Sequence, residues 1–184
     1  MRNILQLLYW LVLLQGCVTV REQNLTYLNN RTIGTSSLLR TDGYFFSNYR
    51  HISDSVTDKS ILGFFIFQNG IIKGTANSIY ETHERFLASE GGNSEIARND
   101  KTNWGCYIIS HDTIKIQRLT ITQTSLLGGA IDVIEHRGKI LNDTTIYLFE
   151  TLIKKKRLKA DQVYTLRKYS SKPDSTNWLL DNEK

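Results

Sequence analysis

The stretch that most constrains this chain is residues 60–77, SILGFFIFQNGIIKGTAN. Apolar β-formers run as far as Gln68, Asn69-Gly70 supplies a turn, and a second run starts at Ile71. Asn-Gly between β-formers signals a tight hairpin, because a type I′ turn requires positive φ at both central residues. A two-residue loop predicts Phe67 opposite Ile72, Phe65 opposite Gly74 and Gly63 opposite Ala76. The other face then pairs Gln68 with Ile71, Ile66 with Lys73 and Phe64 with Thr75. One face is thus wholly apolar and alternates bulky with very small residues, as the inside of a curved sheet does. The expectation is a β-barrel or half-barrel.

The design recurs in residues 104–118, WGCYIISHDTIKIQR, with a turn at His111-Asp112. That turn places Tyr107 opposite Ile116 and Ile109 opposite Ile114, and gives the other face to Cys106, Ile108, Lys115 and Gln117. Cys106, mid-strand beside Trp104 and Tyr107, reads as an inert structural thiol. Residues 38–50 carry Tyr44, Phe45, Phe46 and Tyr49 and read as a first strand, bent at Asp42-Gly43. Residues 51–59 read as a polar connection. Further strands are expected at 130–136, at 139–141 after a turn at Arg137-Gly138, at 144–150 and at 162–169. About eight strands joined mostly by tight turns predict a mainly β fold, an antiparallel up-and-down meander closing into a lipocalin-like barrel or half-barrel. Residues 78–103 interrupt it with a short helical insertion, since Ile79, His83, Phe86 and Leu87 follow a helical period that Gly91-Gly92 ends. So long an excursion covers either the mouth or the outer wall of the barrel.

Ahead of the β region, residues 4–14 (ILQLLYWLVLL) have the length of a signal-peptide apolar segment and fall well short of a membrane span. They lead into Leu14-Gln15-Gly16-Cys17. The organisation expected is a signal peptide at 1–16, a flexible tether at 17–36, a β-barrel-like domain at 37–170 and a C-terminal tail at 171–184, with Trp178-Leu179-Leu180 able to dock back. Roughly 165 residues are enough for a core without disulfide staples, and Cys106 alone lies inside the domain. The net charge of +5 comes mostly from dispersed Lys and Arg, with no nucleic-acid motif. One basic cluster stands out, Lys154-Lys155-Lys156-Arg157 with Lys159, readable as a solvated face or as a contact for anionic headgroups.

The Leu14-Gln15-Gly16-Cys17 motif resembles the lipobox of bacterial lipoproteins. Together with TDGYFF, FFIFQNGIIKG, WGCYIISHDTIKIQ and GKILNDTTIYLF, the chain resembles uncharacterised Bacteroidetes-type lipoproteins with a calycin- or lipocalin-like β domain. That resemblance implies acyl chains such as palmitate on Cys17 and a fold more than an activity. No acidic residue directly follows Cys17, which by the same resemblance implies an outer-membrane anchor facing the periplasm. Gly43-Tyr44-Phe45 stands where lipocalins carry Gly-x-Trp, without the Trp.

No catalytic residues are nominated. His51, His83, His111 and His136 are dispersed, with no His-x₃-His or Cys-x₂-Cys spacing for a metal and no Gly-x-Ser-x-Gly elbow. No cofactor is expected. The function expected is a non-catalytic, lipid-anchored binding module whose barrel takes a small apolar or amphipathic ligand. Its walls, or equally its filled core, come from Phe65, Phe67, Ile72, Tyr107, Ile109, Ile114 and Ile116. The alternatives are a structural or assembly lipoprotein acting through an outer patch around Phe64, Ile66 or Trp178, and, more remotely, an envelope hydrolase. The partners expected are the membrane and a small apolar ligand, with no nucleic acid.

Overall fold

A computed structural model describes residues 25–34, 38–53, 56–74, 79–125 and 128–181. Eight antiparallel strands follow one another around a closed barrel, each bonded to its sequence neighbours. They are β1 (Gly43–Ser53), β2 (Val56–Ile66), β3 (Ile71–Lys73), β4 (Trp104–Ser110), β5 (Thr113–Ser125), β6 (Gly128–Asn142), β7 (Thr145–Ile153) and β8 (Lys156–Lys168). β8 returns to β1 through Phe45 opposite Leu166, so the ring closes and leaves no open sheet edge there. The excursion between β3 and β4 holds α1 (His83–Glu90) and α2 (Glu95–Asn99), and the tail ends in α3 (Trp178–Asp181). Residues 51–59, expected as a polar connection, instead extend β1 and β2 toward a connection at 54–55. No turn forms at Arg137-Gly138. β6 runs through it with a register shift, because the strand bulges against β7 rather than reversing.

The hairpin at Asn69-Gly70 forms, but its register differs by one residue from the two-residue prediction. Phe65 pairs with Lys73 and Ile66 with Ile72, and the Phe67 amide donates to the Ile71 carbonyl at 2.9 Å. The loop is therefore Gln68-Asn69-Gly70, with Gly70 alone at φ +80° and its amide bonded back to the Phe67 carbonyl. That is a turn followed by one left-handed residue, the three-residue solution to a hairpin. Docked chain favours it: Arg31 Nε donates to the Asn69 carbonyl, and the Asn69 side-chain Nδ2 donates to Ser175 Oγ. Because strand side chains alternate, one residue of slip exchanges the faces. Phe64, Ile66 and Ile72 point into the lumen, while Phe65, Phe67, Ile71 and Lys73 point outward. The expected shared face of Phe65, Phe67 and Ile72 is corrected accordingly.

The outward aromatics are covered. α1 starts at Thr82, whose hydroxyl accepts from the Arg85 amide, and it ends at Gly91. It lays Phe86 over Gly63, where a Cβ would come within 2.8 Å of the ring. Phe86 stacks on Phe65 (centroids 5.6 Å apart) and lies 4.9 Å from the Tyr44 ring. Leu25, Phe67, Ile71, Trp104, Cys106, Leu119 and Leu179 complete this outer core. The excursion therefore covers the outer wall, and Trp178-Leu179-Leu180 docks on the same face. Residues 25–34, expected within the tether, also belong to the fold. Tyr27 donates to Glu135 at 2.7 Å, Thr32 Oγ1 accepts from the Ile109 amide, and the Gly34 amide donates to the Gln68 carbonyl. Leu39 then plugs one end of the lumen. Cys17 and the expected signal peptide lie outside the described residues.

Replacing a buried Phe by Ala in such a cluster costs about 3–5 kcal/mol. Phe86→Ala, which uncovers Tyr44 and Phe65, is expected to lower unfolding stability by that order in urea titration. A loss under about 1 kcal/mol contradicts the assignment of α1 as the cover of the wall.

Candidate functional site in the barrel lumen

The lumen divides along its length. At the end closed by Leu39 it is filled by Phe45, Phe64, Ile66, Ile72, Tyr107, Ile114, Ile116, Ile140, Ile146 and Leu148, with Ile109 packed against them. Most of these are within 2 % of complete burial, and the Phe64 and Tyr164 rings meet at 5.0 Å. Of the residues singled out from sequence, Ile72, Tyr107, Ile109, Ile114 and Ile116 line this filled end. Phe65 and Phe67 belong to the outer core instead. The β4–β5 register is the one expected, Tyr107 opposite Ile116 and Ile109 opposite Ile114, because His111 takes the positive φ (54°) that a tight reversal needs.

The same alternation carries the inward face of β5 beyond Ile116 to Arg118 and Thr120. On β6 it places Asp132, Ile134 and His136 opposite Thr120, Arg118 and Ile116. Among the described residues, the far end of the lumen is therefore polar apart from Ile134. Arg118 is 6 % exposed. Its Nη1 donates to the Gly74 carbonyl at 2.9 Å, Nη2 lies 3.3 Å from His136 Nε2, and the guanidinium carbon sits 6.0 Å from the Phe64 ring centroid. Two glycines make room. A Cβ at Gly105, directly opposite, would lie 2.5 Å from Arg118 Cγ, and Gly74 reaches its position at φ +145°. Arg118 Nε is buried and has no hydrogen-bond partner among the described residues.

The protonation pattern follows from the donors. Arginine only donates, so His136 Nε2 accepts, and Nδ1 carries the proton and donates to Thr151 Oγ1 at 3.0 Å. His136 keeps part of its surface accessible, yet burial of the ring and the Arg118 charge push its pKa down to about 3. Burial also lowers the Arg118 pKa, while Tyr164 and Glu90 act on it through space in the opposite direction. The Tyr164 hydroxyl, pushed up to about 12 by burial, donates to Gln162 Oε1. Asp132 meets Lys154 Nζ at 3.1 Å. With the His136 lone pair occupied by Arg118, the imidazole is a spacer between a cation and a hydroxyl, poorly placed to take a proton from a substrate.

Other chemistry is sparse. Cys106 is a free thiol in the outer core, raised to about 12 by burial, and so unreactive. Among the described residues no three His, Cys, Asp or Glu side chains group as metal ligands. None of the described helices is long and apolar enough to cross a membrane. A depression of about 450 Å³ lined by Glu95, Ile96, Asn99 and Asp100 is open surface at α2 and shares no residue with the lumen. Arg118 is not among the residues that the sequence marks as lining the barrel, although the count of two that turns Ile114 and Ile116 inward reaches it next. No known protein family, curated protein or solved structure matches the chain.

An imidazole that titrates near 6.5 unfolded and near 3 folded leaves the unfolded state holding more protons between those values. Its contribution to stability is fully present above about pH 6.5 and is lost as pH falls toward the folded value. In urea titrations at pH 7, 6 and 5, the parent is expected to lose up to about 1.4 kcal/mol per pH unit through this group. His136→Gln should lack that part of the slope, while His83, also lowered by burial, keeps its own in both proteins. Equal slopes contradict a neutral, buried His136.

Proposed function

We propose that this protein is a lipid-anchored envelope lipoprotein and a non-catalytic binding module for a small amphipathic ligand. The observation that carries this reading is the polar end of the lumen around Arg118 and His136, which lies beyond the packed apolar end around Ile116 and Tyr107. A few convergent polar groups inside a barrel fix the orientation of a ligand. Phe64 and Ile66, two members of the outer patch on which an assembly role would rest, are buried inside.

The anchor rests on the lipobox-like Leu14-Gln15-Gly16-Cys17. Each buried CH₂ of an acyl chain contributes about 0.8 kcal/mol, and several chains on one cysteine hold a protein at a membrane. Docking of the chain from Leu25 leaves eight residues from Cys17, a reach of at most about 28 Å. The anchored barrel stays close to the bilayer, where amphiphiles are found. On this reading the anchor lies in the outer membrane and the barrel faces the periplasm.

Native mass spectrometry of the full chain, purified from its own envelope, tests both halves. The expected masses are a chain beginning at an acylated Cys17 and the same chain carrying one small ligand. A Cys17→Ala variant that still fractionates with membranes contradicts the anchor.

A further inference from the structure

We propose that the polar end of the lumen is an anion site, in which Arg118 receives the carboxylate or phosphate head of a small amphiphile. This rests on the reading of the barrel as a binding module and names the class of ligand. A buried guanidinium is ordinarily matched by a carboxylate. Arg118, on the inward face of β5, meets one carbonyl, one imidazole and an aromatic ring. Its buried Nε–H stands without a partner among the described residues. Guanidinium N–H groups in a fixed fork match the oxygens of a carboxylate or phosphate, which this free donor and its neighbour can engage.

The surrounding charges agree with that assignment. Of the nearby carboxylates among the described residues, Asp132 is held by Lys154, and Glu90 accepts from the Tyr80 hydroxyl on the far side of β3. Glu90 reaches Arg118 only through space. The β7–β8 turn stands at the same end of the barrel and exposes Lys155 and Lys156 between Lys154, paired with Asp132, and Arg157, 3.7 Å from Glu150. A cationic rim above a low-dielectric lumen concentrates anions at its mouth. The neutral His136 leaves Arg118 its Nε edge while fixing the other end of the guanidinium.

The test uses the full chain in nanodiscs, with empty nanodiscs as the control, and the water-soluble probes hexanoate, hexyl phosphate, hexanol and inorganic phosphate. Calorimetry is expected to show the two anionic amphiphiles binding one to one, about ten- to a hundredfold tighter than hexanol. Arg118→Met should abolish that preference, and Arg118→Lys should keep part of it. Hexanol binding as tightly as the anions, or an unchanged preference in Arg118→Met, overturns the anion site while leaving a binding barrel in place. Failure of every probe to bind overturns the binding reading itself. Inorganic phosphate binding as tightly as hexyl phosphate keeps the anion site and removes the amphiphile. A measurement on the unmutated chain guards against variants that do not fold. The carboxyl carbon of bound ¹³C-hexanoate should titrate below that of the free acid, as a nearby cation requires. A titration above the free acid shows a carboxyl buried without one and overturns the proposal.

Discussion

Everything in this barrel depends on the backbone pair between Phe67 and Ile71. Closing the β2–β3 hairpin with three residues sends Phe64, Ile66 and Ile72 into the lumen and leaves Phe65, Phe67 and Ile71 outside. The outside face then holds more aromatic surface than water tolerates, and the excursion between β3 and β4 exists to bury it. Phe86 of α1 enters over Gly63, the tail adds Leu179, and the N-terminal segment adds Leu25. One strand pair therefore accounts for two cores, one inside the barrel and one between its wall and the helices.

The inner core stops short of the far end. Beyond Ile116 the described inward side chains are mostly polar, Arg118 and Thr120 on β5 with Asp132 and His136 beside Ile134 on β6, and Arg118 is buried there between Gly74 and His136. Removing a guanidinium from water costs several kcal/mol unless its donors are met, and one of them meets none among the described residues. Buried cations kept in this state belong to sites more often than to cores, since an apolar residue in the same place is commonly as stable or more so.

Much of the fold was legible in the sequence because period-two alternation is a local property. Tyr107, Ile109, Ile114 and Ile116 were placed on one face by the His111-Asp112 turn, and the register agrees. The β2–β3 register was not legible. Asn69-Gly70 alone prefers a two-residue loop, whereas Arg31 and Ser175, distant in sequence, hold the longer one. The same long-range contacts explain why residues 25–34 read as tether: their polar side chains bond to Gln117, Glu135 and Asn69 rather than forming a periodic element. Arg118 escaped notice for another reason. A charged residue at the end of a strand motif looks like surface until closure of the barrel puts that face inside.

The most direct measurement of this arrangement is the set of nuclear Overhauser contacts made by the Phe64 and Phe65 rings. Phe65 should show contacts to Phe86 and Tyr44, and Phe64 to Tyr164 and the Arg118 side chain. Contacts from Phe65 to Ile114 and Ile116 would contradict it, because they require the two-residue loop and the opposite assignment of both faces.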